Sequence, residues 1–393
     1  MKILLATPLF PPEIGGPATY TKELAEQLKN KHHLKIVAYA AKNPQLIKGV
    51  ELIFVDKLKP LFYRLFIFFL AVFKHSKDVD VIYVQNALAA GLPTVLAAKL
   101  RRKPVVLKFV GDEAWERAYL AGKTKKNLVD FLQNPDGGFK SWLFRKIQKF
   151  VLKRIAILTT PSKYLGKEII KAYALRESSW IINYNAAKQK NDYSEEDKLF
   201  AVEKKKHQLL TTARFVSWKG IDGIIEAVSI LKNKIPDLKL VIAGDGPEEN
   251  NLKKKAKDLR IDKMIDFIGR VPQIQIRYLE RESEIFILNS IYEGLPHTVL
   301  SSFSAELPVI ATNIPGTDEA VYDGETGLLV PPNNPRKLAE AIEKLFNDKK
   351  LQEKLINGAE KILQEKFSWN VHLNTLLGIF HSIAKHSTAS TFR

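Results

Sequence analysis

The sequence predicts an α/β protein built from two Rossmann-like units, and three observations carry that prediction. Its 393 residues exceed what one ordinary core organises. Short apolar runs alternate with helical patterns in two successive series, the order that a parallel sheet covered by helices requires. Between the series lies the polar stretch Lys188 to Lys206, which reads as a linker. The expected division is therefore residues 1–187, a linker at 188–206, a second unit at 207–371, and a closing helix and tail at 372–393.

Taken in order, the first series has strands at Lys2 to Ala6, Leu34 to Ala40, Leu52 to Val55, Val81 to Val84 and Val105 to Phe109. An amphipathic helix at Tyr20 to Leu28 separates the first two. The second series places strands at Gln208 to Thr212, Leu238 to Ala243, Met264 to Ile268, Ile285 to Leu288, Val309 to Ala311 and Gly327 to Val330, with a helix at Ile224 to Leu231. Sheets of this kind bind ligands beyond the carboxyl ends of their strands, so the two domains are expected to face a central cleft.

Composition narrows the chemistry. There is no cysteine, which removes thiolate nucleophiles, disulfides and Cys-ligated zinc and suits a reducing, cytoplasmic setting. The opening Met1 to Thr7 is too short for a secretory segment and is followed at once by Pro8, Pro11 and Pro12. The net charge of +18 is lopsided, because residues 1–185 hold 31 Lys and Arg against 14 Asp and Glu. That half should be drawn to an anionic partner, either an acidic lipid surface or a polyanion. Nucleic acid is not expected, since no zinc-finger spacing, basic heptad helix or RNP-like strand organises the cations. Phe66 to Phe73 is the most apolar segment, too short to span a bilayer. It reads either as a helix packed on the first sheet or as an interfacial anchor with basic flanks. The segment Lys140 to Arg154 mixes Trp142, Phe144 and Phe150 with six cations, in the same style.

Three loops carry candidate chemistry. Gly15-Gly16-Pro17 lies between the first strand and helix, where glycines let backbone amides approach an anion, although a plain sharp turn uses the same residues. Arg214 and Lys219, with Gly220, follow a strand and precede a helix, spaced to grip two phosphates or simply to be solvated. Gly244-Asp245-Gly246-Pro247 ends the next strand at the same edge. Glu293 stands before a helix opening, in Ser290-Ile291-Tyr292-Glu293-Gly294-Leu295-Pro296, where free amides form a phosphate cradle.

With Phe267 to Val271, Pro308 to Thr312 and Asp323 to Pro332, these motifs stand in the order found in the family 4 retaining glycosyltransferases of the GT-B fold, which the chain resembles over almost its whole length. The resemblance implies a second domain that binds a nucleotide diphosphate sugar and a first that binds the acceptor. It puts Arg214 and Lys219 on the diphosphate with Gly15, Gly16 and Gly244 nearby, and Arg270 and Val271 near the base. Glu293 falls beside the transferred sugar, followed by Gly294, Leu295 and Pro296, with the backbone of Val299 and Leu300 on phosphate. The second acid of the family's Glu-x7-Glu motif, which holds the ribose, falls at Ser301. The first-domain histidine of many members falls at Val110, which leaves Asp112 as its substitute or as a helix cap, and Glu116 as a partner for the acceptor.

The implied reaction is retaining hexosyl transfer by a front-face route, without a metal or separate cofactor, because fixed cations can stabilise the departing diphosphate. A hinge around residues 186–205 would close the site, and the helix Phe367 to Phe380 resembles the family's returning crossover. The expected partners are a nucleotide sugar, a lipid-linked or glycan acceptor and the anionic inner face of a membrane. A nucleotide-sugar-binding protein without catalysis, or a transferase acting on a soluble glycan, is the alternative.

Overall fold

The computed structural model describes residues 1–13, 15–40, 44–189 and 203–390, with side chains through Lys385. The chain divides into two compact units, residues 1–183 with 374–393, and residues 184–373. Most of the stretch expected to be linker and hinge lies outside the described residues.

The first unit holds a seven-stranded sheet in the order β3-β2-β1-β4-β5-β6-β7. Its strands are β1 Lys2–Thr7, β2 His33–Ala40, β3 Glu51–Asp56, β4 Val81–Gln85, β5 Val105–Lys108, β6 Ile157–Thr160 and β7 Trp180–Ile182. Every pairing is parallel. Strands β1 and β4 are buried almost throughout, as continuous apolar runs must be when helices cover both faces. The sequence reading lacks β6 and β7. In β6, buried threonines replace aliphatic residues, and their hydroxyls are satisfied locally: Thr159 donates to the Leu107 carbonyl at 3.2 Å and Thr160 to that of Ser162 at 2.9 Å. Strand β7 is a three-residue edge, half-buried, and carries too little pattern to announce itself.

The second unit holds six parallel strands in the order β10-β9-β8-β11-β12-β13. They are β8 Gln208–Thr212, β9 Lys239–Ala243, β10 Ile265–Gly269, β11 Ile285–Leu288, β12 Val309–Thr312 and β13 Leu328–Val330, all six where the apolar runs placed them. Helix Ile221–Leu231 buries Ile221, Ile224, Ile225, Val228 and Leu231, one apolar stripe at helical spacing laid on the sheet. The final helix, Trp369–Ser390, starts in the second unit and is grouped with the first from Asn374 onward.

Each sheet reverses its strand order once, between β1 and β4 and between β8 and β11. At such a point the loops leaving the two neighbouring strands turn to opposite sides and open a crevice. In the second unit those loops begin at Ala213 and Asn289; in the first, at Pro8 and Asn86.

Candidate active site

In the second unit the two loops of the crevice are tied together. Gly220 ends the loop after β8 with φ of 61°, and its carbonyl accepts the Asn289 side-chain amide at 2.8 Å. A Cβ at Gly220 would lie 2.1 Å from the Asn289 carbonyl oxygen, so only glycine lets the loops meet. The Ile291 amide donates to the Trp218 carbonyl at 2.8 Å. Held this way, Lys219 Nζ reaches Glu293 Oε1 at 2.5 Å, with the side chains only 21% and 10% exposed. Ser290, wholly buried, donates its hydroxyl to the same Glu293 oxygen at 2.7 Å. Arg214 is exposed at this edge, and no acid among the described residues pairs with it.

Next to this pair the backbone is crowded. Gly244 and Gly246 adopt φ of 142° and 155°, and a Cβ on either would strike the backbone of Ala213 or Phe215. The Phe215 amide donates to the Asp245 carbonyl at 2.7 Å, which seats the loop after β9 on the loop after β8. Arg270 pairs with Asp245 at 3.0 Å, both about half exposed. Val271 is half-buried beside it.

Helix His297–Ser304 follows the Glu293 loop with no side-chain cap. Its first-turn amides are the proposed cradle, but those of Val299 and Leu300 already donate to the Pro296 carbonyl at 3.2 and 3.4 Å. Among the described residues the Thr298 amide has no acceptor, and the Val299 and Leu300 side chains are core residues, with Leu295 beside them. Ser301 Oγ donates to Glu280 Oε2 at 2.9 Å. Burial raises the Glu280 carboxyl to about 7, opposed by the Ser301 hydrogen bond and by the charges of Arg277 and Arg281.

In the first unit the geometry supports the second of the two readings of Asp112, the helix cap. Asp112 is fully buried and caps helix Glu113–Leu120, its Oδ1 accepting the Trp115 amide at 2.8 Å. Its Oδ2 accepts Gln148 Nε2 at 2.9 Å and the Tyr173 hydroxyl at 2.5 Å. A carboxylate enclosed by three donors has no face left for a substrate, so the cap and not the chemistry accounts for Asp112. Its neighbour Glu113 is the group that reaches the end of β4, where Oε2 accepts the Leu88 amide at 3.1 Å beside Asn86 at φ of 74°. Burial raises the Glu113 carboxyl, while hydrogen bonds from Asn86 and Leu88 and the Arg117 charge counter that rise. Glu116 is half-buried against Gly111. Gly15 is extended, Gly16 has open space where a Cβ would sit, and helix Gly16–Leu28 also lacks a side-chain cap.

Sequence reasoning passed over three contributors. Glu280 lies in no motif, and Glu113 is hidden between the more conspicuous Asp112 and Trp115. Gly316, at φ of 90°, packs against the Glu293 backbone so closely that a Cβ would stand 2.4 Å from the Glu293 carbonyl oxygen. Its signal was available in the Pro315-Gly316 turn after β12.

The apolar segment Phe66 to Phe73 lies in helix Leu61–His75, of which only Phe68 and Val72 are buried. Phe62 is 85% exposed and Phe66 58%, and on helix Gly138–Leu152 Phe139 is 74% exposed. Among the described residues no helix is long and apolar enough to cross a membrane.

Two family models match the chain in succession. The description Glycosyltransferase Family 4 covers residues 14–187, and Glycosyl transferases group 1 covers residues 192–362. An uncharacterised glycosyltransferase of Haemophilus influenzae is 32% identical over 222 residues, 54% of this chain and 59% of that one. The lipopolysaccharide core biosynthesis glycosyltransferase LpsE of Rhizobium meliloti is 32% identical over 160 residues, 41% of this chain and 45% of its own length. The chain thus spans about half the length of these relatives. Anabaena HepE, solved in complex with UDP and glucose, superposes with a TM-score of 0.73 at 18% identity, covering 96% of this chain and 99% of that one. Two parallel sheets of this topology, matched half by half to the two models, make the chain a member of the group 1, family 4 glycosyltransferases with the GT-B fold.

Proposed function

We propose that this protein is a retaining glycosyltransferase that moves a hexosyl group from a nucleotide diphosphate sugar to a lipid-linked acceptor at an anionic membrane surface. The observation that carries the reading is the Lys219–Glu293 pair at the sheet's switch point, with Arg214 beside it. An arriving diphosphate offers Lys219 a stronger partner than one carboxylate oxygen, and Arg214 can take the second phosphate in a two-pronged grip. Freed from the ammonium, the Glu293 carboxylate turns to accept a hydroxyl of the transferred sugar, held in place by Ser290. As the carbon–oxygen bond to the leaving group breaks, negative charge grows on the diphosphate, and the two cations with the open Thr298 amide stabilise it without a metal. The acceptor oxygen bonds to that carbon on the face the diphosphate leaves, and the departing phosphate oxygen takes the acceptor's proton, which retains the configuration and asks for no protein nucleophile.

The exposed phenylalanines and the basic excess of the first unit support a membrane-borne acceptor. So does the name of LpsE, while the ligands of HepE make UDP-sugars the first donors to try. Nucleotide release is the assay, run with UDP-, GDP- and ADP-sugars and lipid-linked acceptors. Lys219→Met should lower kcat/KM by about a hundredfold or more, and Glu293→Gln should lower kcat more than it changes KM. Unaltered rates in both variants would remove the assignment. Donor binding without turnover in the parent protein would favour a nucleotide-sugar-binding role, a reading that the enclosed Asp112 and the exposed Val110 also permit.

A further inference from the structure

Glu280 is 1% exposed, on helix Gln273–Glu282, away from every motif of the sequence. One oxygen accepts the Ser301 hydroxyl, and the other is buried with no hydrogen-bond partner. A carboxyl group withdrawn from water and half satisfied costs stability that packing alone would have removed through substitution by leucine or methionine. Its hydrogen bond to Ser301 is therefore the place to look for its use.

Ser301 is only partly buried and lies three residues beyond Thr298, whose amide is open in the first turn of the same helix, about 4.5 Å along the axis. A serine hydroxyl has one proton and two lone pairs. While the Glu280 carboxyl is ionised the serine proton is committed to it, so toward a ligand the Ser301 oxygen can only accept. Phosphate oxygens also only accept and gain nothing from such a neighbour. A sugar hydroxyl, which donates, fits it.

We propose that Glu280 is a positioning residue of the donor site, which locks the Ser301 hydroxyl as an acceptor for a sugar hydroxyl of the nucleotide donor. The proposal rests on the donor reading above. Two hydroxyl sources share this chemistry, the ribose of the nucleotide and the transferred sugar. The arrangement gives the chain a carboxyl group behind its serine, delivered from a neighbouring helix, one hydrogen bond removed from the ligand.

The test is calorimetric titration of the full chain with UDP, GDP and ADP, then with the 2′-deoxy and 3′-deoxy forms of whichever binds, and with its glucose-bearing counterpart. The parent protein should bind one deoxy form about tenfold more weakly, or bind the sugar-bearing nucleotide about tenfold more tightly than the bare one. The first result places the ribose against Ser301 and the second the transferred sugar. Ser301→Ala and Glu280→Met should abolish that discrimination, and Glu280→Gln, whose amide oxygen can still accept from Ser301, should restore it. Discrimination unchanged in a folded Ser301→Ala protein overturns the proposal even if Glu280→Met fails to fold. A parent protein that binds no nucleotide overturns the donor reading together with it.

Discussion

At Lys108, the last residue of β5, the ammonium lies 3.6 Å from the centroid of the Tyr20 ring and is 4% exposed, and burial holds its pKa down to about 7. In the unfolded chain the same lysine keeps its proton to its ordinary value of 10.5. Between those values the folded state binds fewer protons than the unfolded one, so stability should climb as pH rises from about 7 toward 10. Below about 7 both states are charged and the burial penalty is fully felt. Lys108→Met should flatten that climb, as read by urea unfolding at pH 7 and pH 9; a slope equal to the parent's would assign it to another group. Residue type alone does not foretell such behaviour. Lys108 reads as an ordinary basic residue among many, as Asp112 reads as a substitute for a missing histidine, until the surrounding side chains show how much water each has lost.

Among the connecting elements, the loop after β12 decides how firmly the Glu293 carboxylate is held. Gly316 sits on the Glu293 carbonyl at a backbone angle that suits glycine, and its amide donates to the Asp318 side chain at 3.0 Å. Gly316→Ala should cost roughly 1–3 kcal/mol and displace the loop that carries Glu293, lowering donor affinity. Gly324→Ala is the control, since Gly324 also has positive φ, at 68°, but nothing lies near where its Cβ would be. Melting temperatures with and without nucleotide separate the two effects: only Gly316→Ala should shrink the nucleotide-induced shift. If both variants respond to nucleotide as the parent does, the close approach has no part in shaping the site. The first loops of each unit were legible because glycines, cations and a lone acid follow strongly apolar strands. Strands β6 and β7 were not, because buried threonines and a three-residue edge carry no hydrophobic period.

Over the whole molecule, charge and exposed apolar surface act together. The positive excess belongs to the first half of the sequence, and the exposed rings of helices Leu61–His75 and Gly138–Leu152 belong to the same unit. Attraction by the cations should bring the protein to an acidic bilayer, and insertion of the rings should hold it there. Sedimentation with phosphatidylserine-containing vesicles should therefore fall steeply between 0.05 and about 0.5 M salt, over which the Debye length shrinks severalfold. A Phe62→Ser, Phe66→Ser double variant should bind more weakly at every salt concentration without a change in fold. Salt-independent binding, or binding to neutral vesicles as strong as to acidic ones, would count against an electrostatic docking face.

By itself the amino-acid order determined the α/β class, two sheets in series, all six strands of the second sheet and the ordered loops that mark the family, because each depends on local apolar period and on turn residues close in sequence. Only the tertiary structure decided that Lys219 meets Glu293, that Gln148 and Tyr173 close around Asp112, and that Glu280 stands behind Ser301. Those relations join residues far apart along the chain, and their chemistry depends on burial and on which donor reaches which acceptor. Neither quantity exists until the strands have chosen their neighbours.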